Sequence, residues 1–303
     1  MAAESRRLVI LALIANFLIA VTKFVAAAIS QSSAMLSEAI HSLADTGNQL
    51  FLLRGHAVAG REPDVQHPYG RGKELYFWAF MVAVVLFVGG SVLSVLTGID
   101  TIRNPEGHGD EGYWLAMGVL AIAAVSEASI ALRPALKQFN AERAGRSIPR
   151  SIRESKDPSL VVVVFEDVAA LIGLAIAAVG LTLSRITGDG LWDGLASVLI
   201  GLLLAGVAWF IATEMKSLLI GESATREERS RIRAATLGVD EVQRIDRLLT
   251  MQLAPEEILV NMDVAFDDGL DTDQLEAAIR HIEAVIEEAV PSARKVFIEP
   301  VDA

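Results

Sequence analysis

The sequence predicts a membrane protein of two parts: an all-α domain of six transmembrane helices over residues 1–216 and a cytoplasmic α+β domain over residues 217–303. Two observations carry this prediction. The chain of 303 residues is 52% hydrophobic, and its long apolar runs all lie before residue 217. Acidic residues collect after that point: residues 217–303 hold 19 Asp and Glu against 9 Lys and Arg, while the net charge of the whole chain is −12.

The composition excludes several classes of protein. The chain has no cysteine, which rules out a disulfide scaffold, a thiolate metal site and a thiol nucleophile. Its acidic balance argues against nucleic acid as a partner, because a phosphate backbone binds basic surfaces. No H-E-x-x-H, G-x-S-x-G or G-x-x-x-x-G-K-[ST] stretch occurs, so we expect neither a hydrolase nor a nucleotide-driven pump.

Six runs approach the ~20 apolar residues that a transmembrane helix needs. They cover residues 8–29, 33–53, 75–99, 113–132, 159–184 and 194–212. The second run is the weakest because it carries Glu38, His41 and Asp45. A cleaved signal peptide is the alternative for the first run, but that run exceeds a signal core of ~7–15 residues and contains Lys23.

Basic residues predict the orientation of the spans, since Lys and Arg mark cytoplasmic loops. Of those that precede or connect the spans, thirteen fall at positions 6–7, 54–73 and 133–156. The alternate connections contain only Arg103 and Arg185. We therefore expect both termini in the cytoplasm and a bacterial inner membrane as the location.

The last third predicts a small domain with the order α-β-β-α-β. Alternating apolar residues from Ile258 to Phe266 indicate a half-buried strand. Asp271 with Gln274 resembles a capping box that starts a helix with an apolar face. The helices and strands are expected over residues 225–237, 242–253, 258–266, 271–286 and 296–299.

Ionisable residues inside the predicted spans point to function, because a charge at the bilayer centre costs at least ~2.5 kcal/mol on insertion scales. His41 and Asp45 are four residues apart and share one helix face, which Glu38 and Asn48 continue. Asp167 lies near mid-depth in the fifth span. Imidazole and carboxylate ligands from two helices predict a site for a divalent metal ion, with no bias toward soft copper(I).

Other polar residues in the spans have plainer explanations. Asn16 is expected to make an interhelical hydrogen bond. Lys23 and Glu38 lie at similar depth and are expected to pair with each other. Glu127 fits a proton relay and a structural pair equally well. A single membrane histidine is usually a packing residue, but the His41–Asp45 spacing together with acids on another span favours a metal path.

Four segments of the sequence carry a resemblance to a known family. They are residues 37–49 (SEAIHSLADTGNQ), 67–73 (HPYGRGK), 218–224 (LLIGESA) and 297–300 (FIEP). With them, the chain resembles the cation diffusion facilitators, a family of zinc transporters that act as metal/proton antiporters. The resemblance implies six transmembrane helices, a cytoplasmic metallochaperone-like α+β domain, a homodimer, no enzyme activity, no permanent cofactor, and Zn²⁺ as the transported substrate.

The same resemblance assigns roles to residues. His41 and Asp45 match the ligands of the second span, and Asp167 matches an aspartate ligand of the fifth. The usual fourth ligand stands at the position of Val163, which cannot coordinate a cation. The fourth position then falls to Glu166, Asn48 or water. Residues 165–171 (FEDVAAL) are similar to the mitochondrial zinc-exporter branch of the family.

Two further departures from the family pattern affect secondary metal sites. Asp64 and His67 match two ligands of an accessory zinc site in the loop after the second span, but Arg71 replaces the third. The tail domain, which holds a histidine-bound zinc pair in many members, has only His281 here. We therefore expect neither a full loop site nor a binuclear tail site.

The expected function is export of a divalent metal ion, with Zn²⁺ as the first candidate, coupled to inward proton flow by alternating access across the lipid bilayer. Metal entering the site displaces protons, because ligands must be deprotonated to bind it. Glu127 and Glu38 are candidates for a proton relay or gate. The alternatives are an Mn²⁺, Fe²⁺ or Co²⁺ exporter of the same family and a metal-sensing membrane scaffold that does not transport.

Overall fold

The structure, a computed structural model, describes residues 2–105, 110–143, 151 and 156–302. Contacts divide the chain into two compact units. The first comprises Met1–Ala57, Phe77–Arg153 and Pro158–Met215; the second comprises Val58–Tyr76, Glu154–Asp157 and Lys216–Ala303. Because residues 58–76 also belong to the second unit, the predicted boundary between the two domains after residue 216 stays a prediction. Arg146, Arg150 and Arg153, which support the predicted orientation, lie outside the described residues.

The first unit is built from long helices. In chain order they are α1 (Ala2–Ser30), α2 (Ser33–Ala59), α3 (Glu74–Val85) continuing through a π-helical segment (Leu86–Val92) into α4 (Leu93–Arg103), α5 (Asp110–Ser126) continuing through a second π-helical segment (Glu127–Leu132) into α6 (Arg133–Arg143), α7 (Pro158–Thr187) and α8 (Leu191–Ile220).

Within the described residues, four helices are long and apolar enough to cross a membrane: Glu74–Arg103, Gly112–Ala141, Ser159–Thr187 and Leu191–Ile220. Helix α1 contains a shorter apolar stretch, Asn16–Ser30. Helix α2 is as long as a span, but its charged and polar residues lower its hydropathy. A helical transmembrane region is therefore present, and the count of six stays a prediction.

The core of the first unit is packed with small and aliphatic side chains from α1, α2, α5, α7 and α8. Ala26, Met35, Leu120 and Leu204 are among its members. Large apolar side chains also cover the outside, as Trp209 with 74% of its surface exposed illustrates. An apolar exterior around a core of small residues is what a lipid solvent favours.

One buried carboxylate fixes the beginning of α2. Asp193, in the first turn of α8, accepts hydrogen bonds from the Ser32 Oγ (2.5 Å), the Ser33 backbone nitrogen (2.5 Å) and the Ser33 Oγ (2.9 Å). It thereby satisfies helix-terminal donors that would otherwise be orphaned. Ser37 Oγ, one turn further along α2, lies 2.6 Å from Ser197 Oγ of α8. These bonds hold α2 at a fixed depth beside α8.

The described part of the second unit confirms the predicted α-β-β-α-β order. Its elements are α9 (Arg226–Leu237), β1 (Val242–Ala254), β2 (Glu257–Phe266), α10 (Thr272–Ala289) and β3 (Lys295–Val301). Strand β2 is central, antiparallel to β1 and parallel to β3. The Asp271–Gln274 capping box is present at the start of α10, and Thr225 with Glu228 forms another at the start of α9.

One face of β2 forms the core of this unit. Ile258, Val260, Met262 and Val264 are each completely buried, as the alternating pattern predicted. They pack in one cluster with residues of α10 that include Ile282. The unit therefore has a single two-layer core of helices on a sheet.

The loop between α2 and α3 contacts the sheet of the second unit. Gly72 lies so close to Leu253 and Ala254 that a Cβ atom built on it would be 2.6 Å from the Leu253 carbonyl oxygen. Tyr69 meets Phe297 edge to face, with 6.5 Å between ring centroids. Close approach of the two backbones requires glycine at position 72.

Candidate metal site

Helix α2 presents His41 and Asp45 on one face, one turn apart. The His41 Nδ1 lies 3.4 Å from the Asp45 Oδ1, and the imidazole is 99% buried. The fixed start of α2 beside α8 determines how deep these two side chains lie. The i, i+4 spacing predicted that the two residues share one helix face, and they do.

A cavity of about 230 Å³ lies inside the first unit; Asp45 lines it together with other charged and apolar side chains, whereas His41 is not among the described residues of its wall. Four carboxylates line it: Asp45 from α2, Glu127 from the second π-helical segment, and Glu166 and Asp167 from α7. Val163 and Asn16 also contribute to the wall. Four acidic groups around one cavity in an apolar helical unit make an environment that attracts cations.

Several side-chain nitrogen and oxygen atoms at this site have no hydrogen-bond partner within the described part of the chain. They are both ring nitrogens of His41, one oxygen each of Asp45 and Asp167, and the side-chain oxygen of Asn48. The His41 Nδ1 and the Asp45 Oδ1 approach each other to 3.4 Å but form no hydrogen bond. Buried polar groups are nearly always hydrogen-bonded, and each exception asks for an explanation. Unpaired lone pairs on imidazole and carboxylate groups are the atoms that a divalent metal ion would use.

Asn48 and Glu166 connect the two helices that carry the donors. The Asn48 Nδ2 donates a 2.6 Å hydrogen bond to the Glu166 Oε1. Adjacent residues point about 100° apart around a helix, yet Glu166 and Asp167 both line the cavity. Asn48 thus orients Glu166, while Asp167 keeps an unpaired oxygen.

The structure does not bring three of these donors to one point. Among the described residues, no group of three or more His, Asp and Glu side chains is close enough to hold a metal ion. His41 and Asp45 are together on α2, and Glu166 and Asp167 are together on α7. Completing a ligand set from both helices therefore requires movement of side chains or of the helices themselves.

Glu127 belongs to the cavity wall at the first residue of a π-helical segment. Such segments are rare and occur frequently at functional sites. The sequence singles out Glu127 by its charge alone, and no residue pattern distinguishes the π-helical segment from ordinary helix. Its position in the cavity wall is therefore information that only the fold supplies.

The expected pairing of Lys23 with Glu38 is confirmed. The Lys23 Nζ lies 3.2 Å from the Glu38 Oε2, and both side chains are completely buried. Glu38 is thus part of an ion pair between α1 and α2. It is not one of the described residues that line the cavity.

The loop cluster of Asp64, His67 and Arg71 lies in the second unit. The Asp64 carboxylate contacts the Arg71 Nη2 at 2.8 Å and the His67 Nδ1 at 3.2 Å. The hydrogen bond from Arg71, followed by that from the His67 backbone, lowers the pKa of Asp64 below its usual range. The Arg71 guanidinium, a fixed positive charge, thus contacts the carboxylate that a metal ion in this loop would need. His281 is exposed on α10.

Two family models match the chain and together cover most of it. The cation efflux transmembrane domain matches residues 9–220, and the cation efflux protein cytoplasmic domain matches residues 224–300. The first match alone covers more than two thirds of the chain. It includes every carboxylate of the cavity.

Characterised proteins from several kingdoms are similar in sequence. Metal tolerance protein C4 of Arabidopsis thaliana is 34% identical over 76% of this chain and 50% of its own. The human mitochondrial proton-coupled zinc antiporter SLC30A9 is 33% identical over 86% of this chain and 46% of its own. The manganese efflux system protein MneP of Bacillus subtilis is 20% identical over 97% of this chain and 95% of its own.

The chain spans about half the length of the first two of these relatives. The matched domains place a helical membrane region before a dimerisation-type cytoplasmic domain. The architecture described above has the same two parts, with apolar helices followed by a small mixed sheet and its helices. The chain therefore belongs to the cation efflux family of membrane transporters.

Proposed function

We propose that this protein exports Zn²⁺ in exchange for protons, with His41, Asp45 and Asp167 as metal ligands. The observation that carries the proposal is the set of buried, unpartnered nitrogen and oxygen atoms beside a cavity with four carboxylates. Zinc takes His nitrogen and Asp oxygen ligands at ~2.0–2.2 Å, usually four in a tetrahedron. The metal ion is the substrate here and not a resident cofactor.

The fourth ligand position has three candidates. Glu166 lines the cavity but its Oε1 accepts the hydrogen bond from Asn48. Asn48 has a free side-chain oxygen, since no partner for it exists among the described residues. Water is the third candidate, since the cavity has room for several molecules. We favour Glu166, because its charge helps to neutralise the ion.

Proton coupling follows from the chemistry of the ligands. Zn²⁺ binds deprotonated imidazole and carboxylate, so loading of the site from the cytoplasm releases protons. Protons that enter from the opposite side then compete with the metal and release it. Glu127, on a different wall of the same cavity, is positioned to relay a proton between bulk water and the ligands.

We further propose six spans, including α1 and α2, with both termini in the cytoplasm of a bacterial cell, and a homodimer formed through the cytoplasmic domain. Arg185 is a basic residue on the proposed non-cytoplasmic side, and its contacts are compatible with a place at the membrane interface. Its guanidinium stacks 4.3 Å from the Tyr113 ring centroid and 5.0 Å from that of Trp114. Such aromatic and cationic groups anchor helix ends at a membrane interface.

Export of Mn²⁺, Fe²⁺ or Co²⁺ is the second candidate function. The cavity is rich in oxygen donors, and Val163 takes the place of a possible nitrogen ligand. Oxygen-rich sites suit manganese, whereas imidazole favours zinc. His41 is the feature that inclines the proposal to zinc.

Reconstitution tests this proposal. Purified protein in liposomes with an entrapped zinc indicator should take up zinc when a pH gradient is imposed and much less without one. Competition with Mn²⁺, Fe²⁺ and Co²⁺ ranks the substrates. Asp167→Asn should abolish uptake, while the matched control Asp100→Asn, an exposed aspartate at the end of α4, should not. Metal binding without uptake in wild-type protein would contradict transport.

A further inference from the structure

The buried ion pair between α1 and α2 occupies a particular place along the cavity. The Lys23 Nζ contacts the Glu38 Oε2 at 3.2 Å and donates a 2.6 Å hydrogen bond to the Ser42 Oγ. Ser42 is itself part of the cavity wall. The ammonium group therefore lies immediately behind that wall.

The order of residues along α1 and α2 places the Lys23–Glu38 pair at one end of the cavity. On α2 the wall residues run from Ser42 to Leu52, and Glu38 is one turn before them. On α1 the wall includes Ile19, and Lys23 is one turn after it. Since α1 and α2 run in opposite directions, both residues of the pair lie beyond the same end of the cavity.

Helix α7 closes the third side of this end. Gly173 is two turns after Glu166, and the Glu38 Oε1 fills the space that a side chain at Gly173 would occupy. That carboxylate oxygen is completely buried and has no hydrogen-bond partner among the residues described. Lys23, Glu38 and Gly173 thus form one contiguous layer across α1, α2 and α7, which we call the Lys23–Glu38 layer.

We propose that the Lys23–Glu38 layer is the gate that closes the transport path on the non-cytoplasmic side in the metal-free state. This inference rests on the proposed alternating-access export. A fixed ammonium at the blind end of an acidic cavity repels a metal ion that has reached the ligands. Its pairing with Glu38 keeps the closed layer free of net charge, because an unpaired buried charge is strongly unfavourable.

The layer also supplies a link between loading and opening. Ser42, which binds the Lys23 ammonium, is next to His41 in sequence and one turn from Asp45. A divalent ion held by these ligands raises the positive electrostatic potential at the Lys23 ammonium. It thereby weakens the contacts that hold the ammonium behind the cavity wall. Binding of the ion therefore favours the conformation in which Lys23 and Glu38 are separated and the path is open to the non-cytoplasmic side. A ligand shifts an equilibrium between two conformations in this way when it binds one of them more tightly.

Thiol labelling tests the gate without any transport measurement, because the chain has no cysteine of its own. Ala34→Cys reports on the non-cytoplasmic side of the layer; Ala34 is one turn before Glu38 and completely buried. Gln49→Cys reports on the cavity, whose wall includes Gln49. A membrane-impermeant maleimide is applied from either side of oriented vesicles, and the labelling rates are compared.

In the wild-type background, Gln49→Cys should label from the cytoplasmic side only, and Ala34→Cys should stay unreactive. Lys23→Met or Glu38→Gln should raise non-cytoplasmic labelling of Gln49→Cys roughly tenfold or more, because only the closed state loses the ion pair. The exchanged pair Lys23→Glu with Glu38→Lys should restore protection. Thr22→Val, on the exposed face of α1, is the matched control and should change nothing.

Unchanged protection of Gln49→Cys from the non-cytoplasmic side in folded Lys23→Met and Glu38→Gln proteins would overturn the gate. So would failure of the exchanged pair to restore protection, since charge pairing would then not be the closing element. If the charge variants do not fold, Gly173→Ala displaces Glu38 without changing charge and should give the same increase in labelling. Loss of zinc transport with an intact labelling response would contradict the proposed function and leave the gate standing.

Discussion

Two clusters in this protein contain the same kinds of residue in different settings. The membrane cluster has His41 and Asp45 on α2 with Lys23 nearby, and the loop cluster has His67 and Asp64 with Arg71. In the loop, the cation binds the aspartate directly, with 2.8 Å from the Arg71 Nη2 to the Asp64 Oδ2. In the membrane, the cation binds a different carboxylate, Glu38, at 3.2 Å.

We propose that this difference leaves only the membrane cluster available to a metal ion. Asp64 already accepts contacts from Arg71, His67 and two backbone nitrogens. Asp45 and His41 keep buried atoms that have no hydrogen-bond partner in the described part of the chain. On this proposal, residue identity and spacing do not suffice for a metal site, and the location of the nearest fixed positive charge is equally important.

The largest expected effect comes from removing equivalent residues in each cluster. Loss of an outer-shell partner costs ~10–100-fold in metal affinity, so His41→Ala or Asp45→Asn should lower zinc transport at least about 100-fold. The matched variants His67→Ala and Asp64→Asn should transport like wild type. Uptake rates in proteoliposomes measure both. Equal losses of zinc transport in the membrane-cluster and loop-cluster variants would contradict the proposed difference between the two clusters.

A second prediction concerns the carboxylate that fixes the depth of the membrane cluster. Asp193→Ala leaves the Ser33 nitrogen and two hydroxyls without their acceptor, and should lower the free energy of unfolding by about 3 kcal/mol. Thermal denaturation in detergent measures the change. Asp100→Ala, on an exposed surface, is the control. A variant as stable as wild type would show that α2 is held by other contacts.

A third prediction adds a ligand to the membrane cluster. Val163 lines the cavity one turn before Asp167, so Val163→His supplies an imidazole on the same face of α7. Zinc affinity should rise roughly tenfold, and selectivity should shift from manganese toward zinc, because imidazole is the softer ligand. Isothermal titration with each metal measures both changes. Unaltered affinities would place the ion away from Asp167.

The smallest effect is expected in the loop cluster and concerns pH. Arg71 holds the pKa of Asp64 below its usual range, so the stabilisation it provides is present above pH ~4 and is lost as the pH falls through the lowered pKa. Arg71→Gln should move the pKa of Asp64 back up toward its ordinary value, while Asp64 stays ionised at pH 7 in both proteins. Carbon-13 NMR of labelled aspartate follows the titration. A pKa that stays low would assign the effect to the backbone donors.

The local features of this fold were predictable from the sequence, and the long-range ones were not. The alternation in β2 and the Asp271–Gln274 capping box depend on neighbouring residues, so the pattern contains them. The bond between Asn48 and Glu166 joins residues 118 positions apart, and the Asp193 cap spans 160. Such pairings depend on how helices pack, and a single sequence carries no signal for them.

The position of zinc in a metal-soaked crystal is a direct test of the proposed ligands, since anomalous scattering locates the ion independently of transport. We expect a peak between α2 and α7, with the His41 nitrogen and the Asp45 and Asp167 oxygens at ~2.0–2.2 Å. A peak at the Asp64–His67 loop with none between those two helices would contradict this expectation.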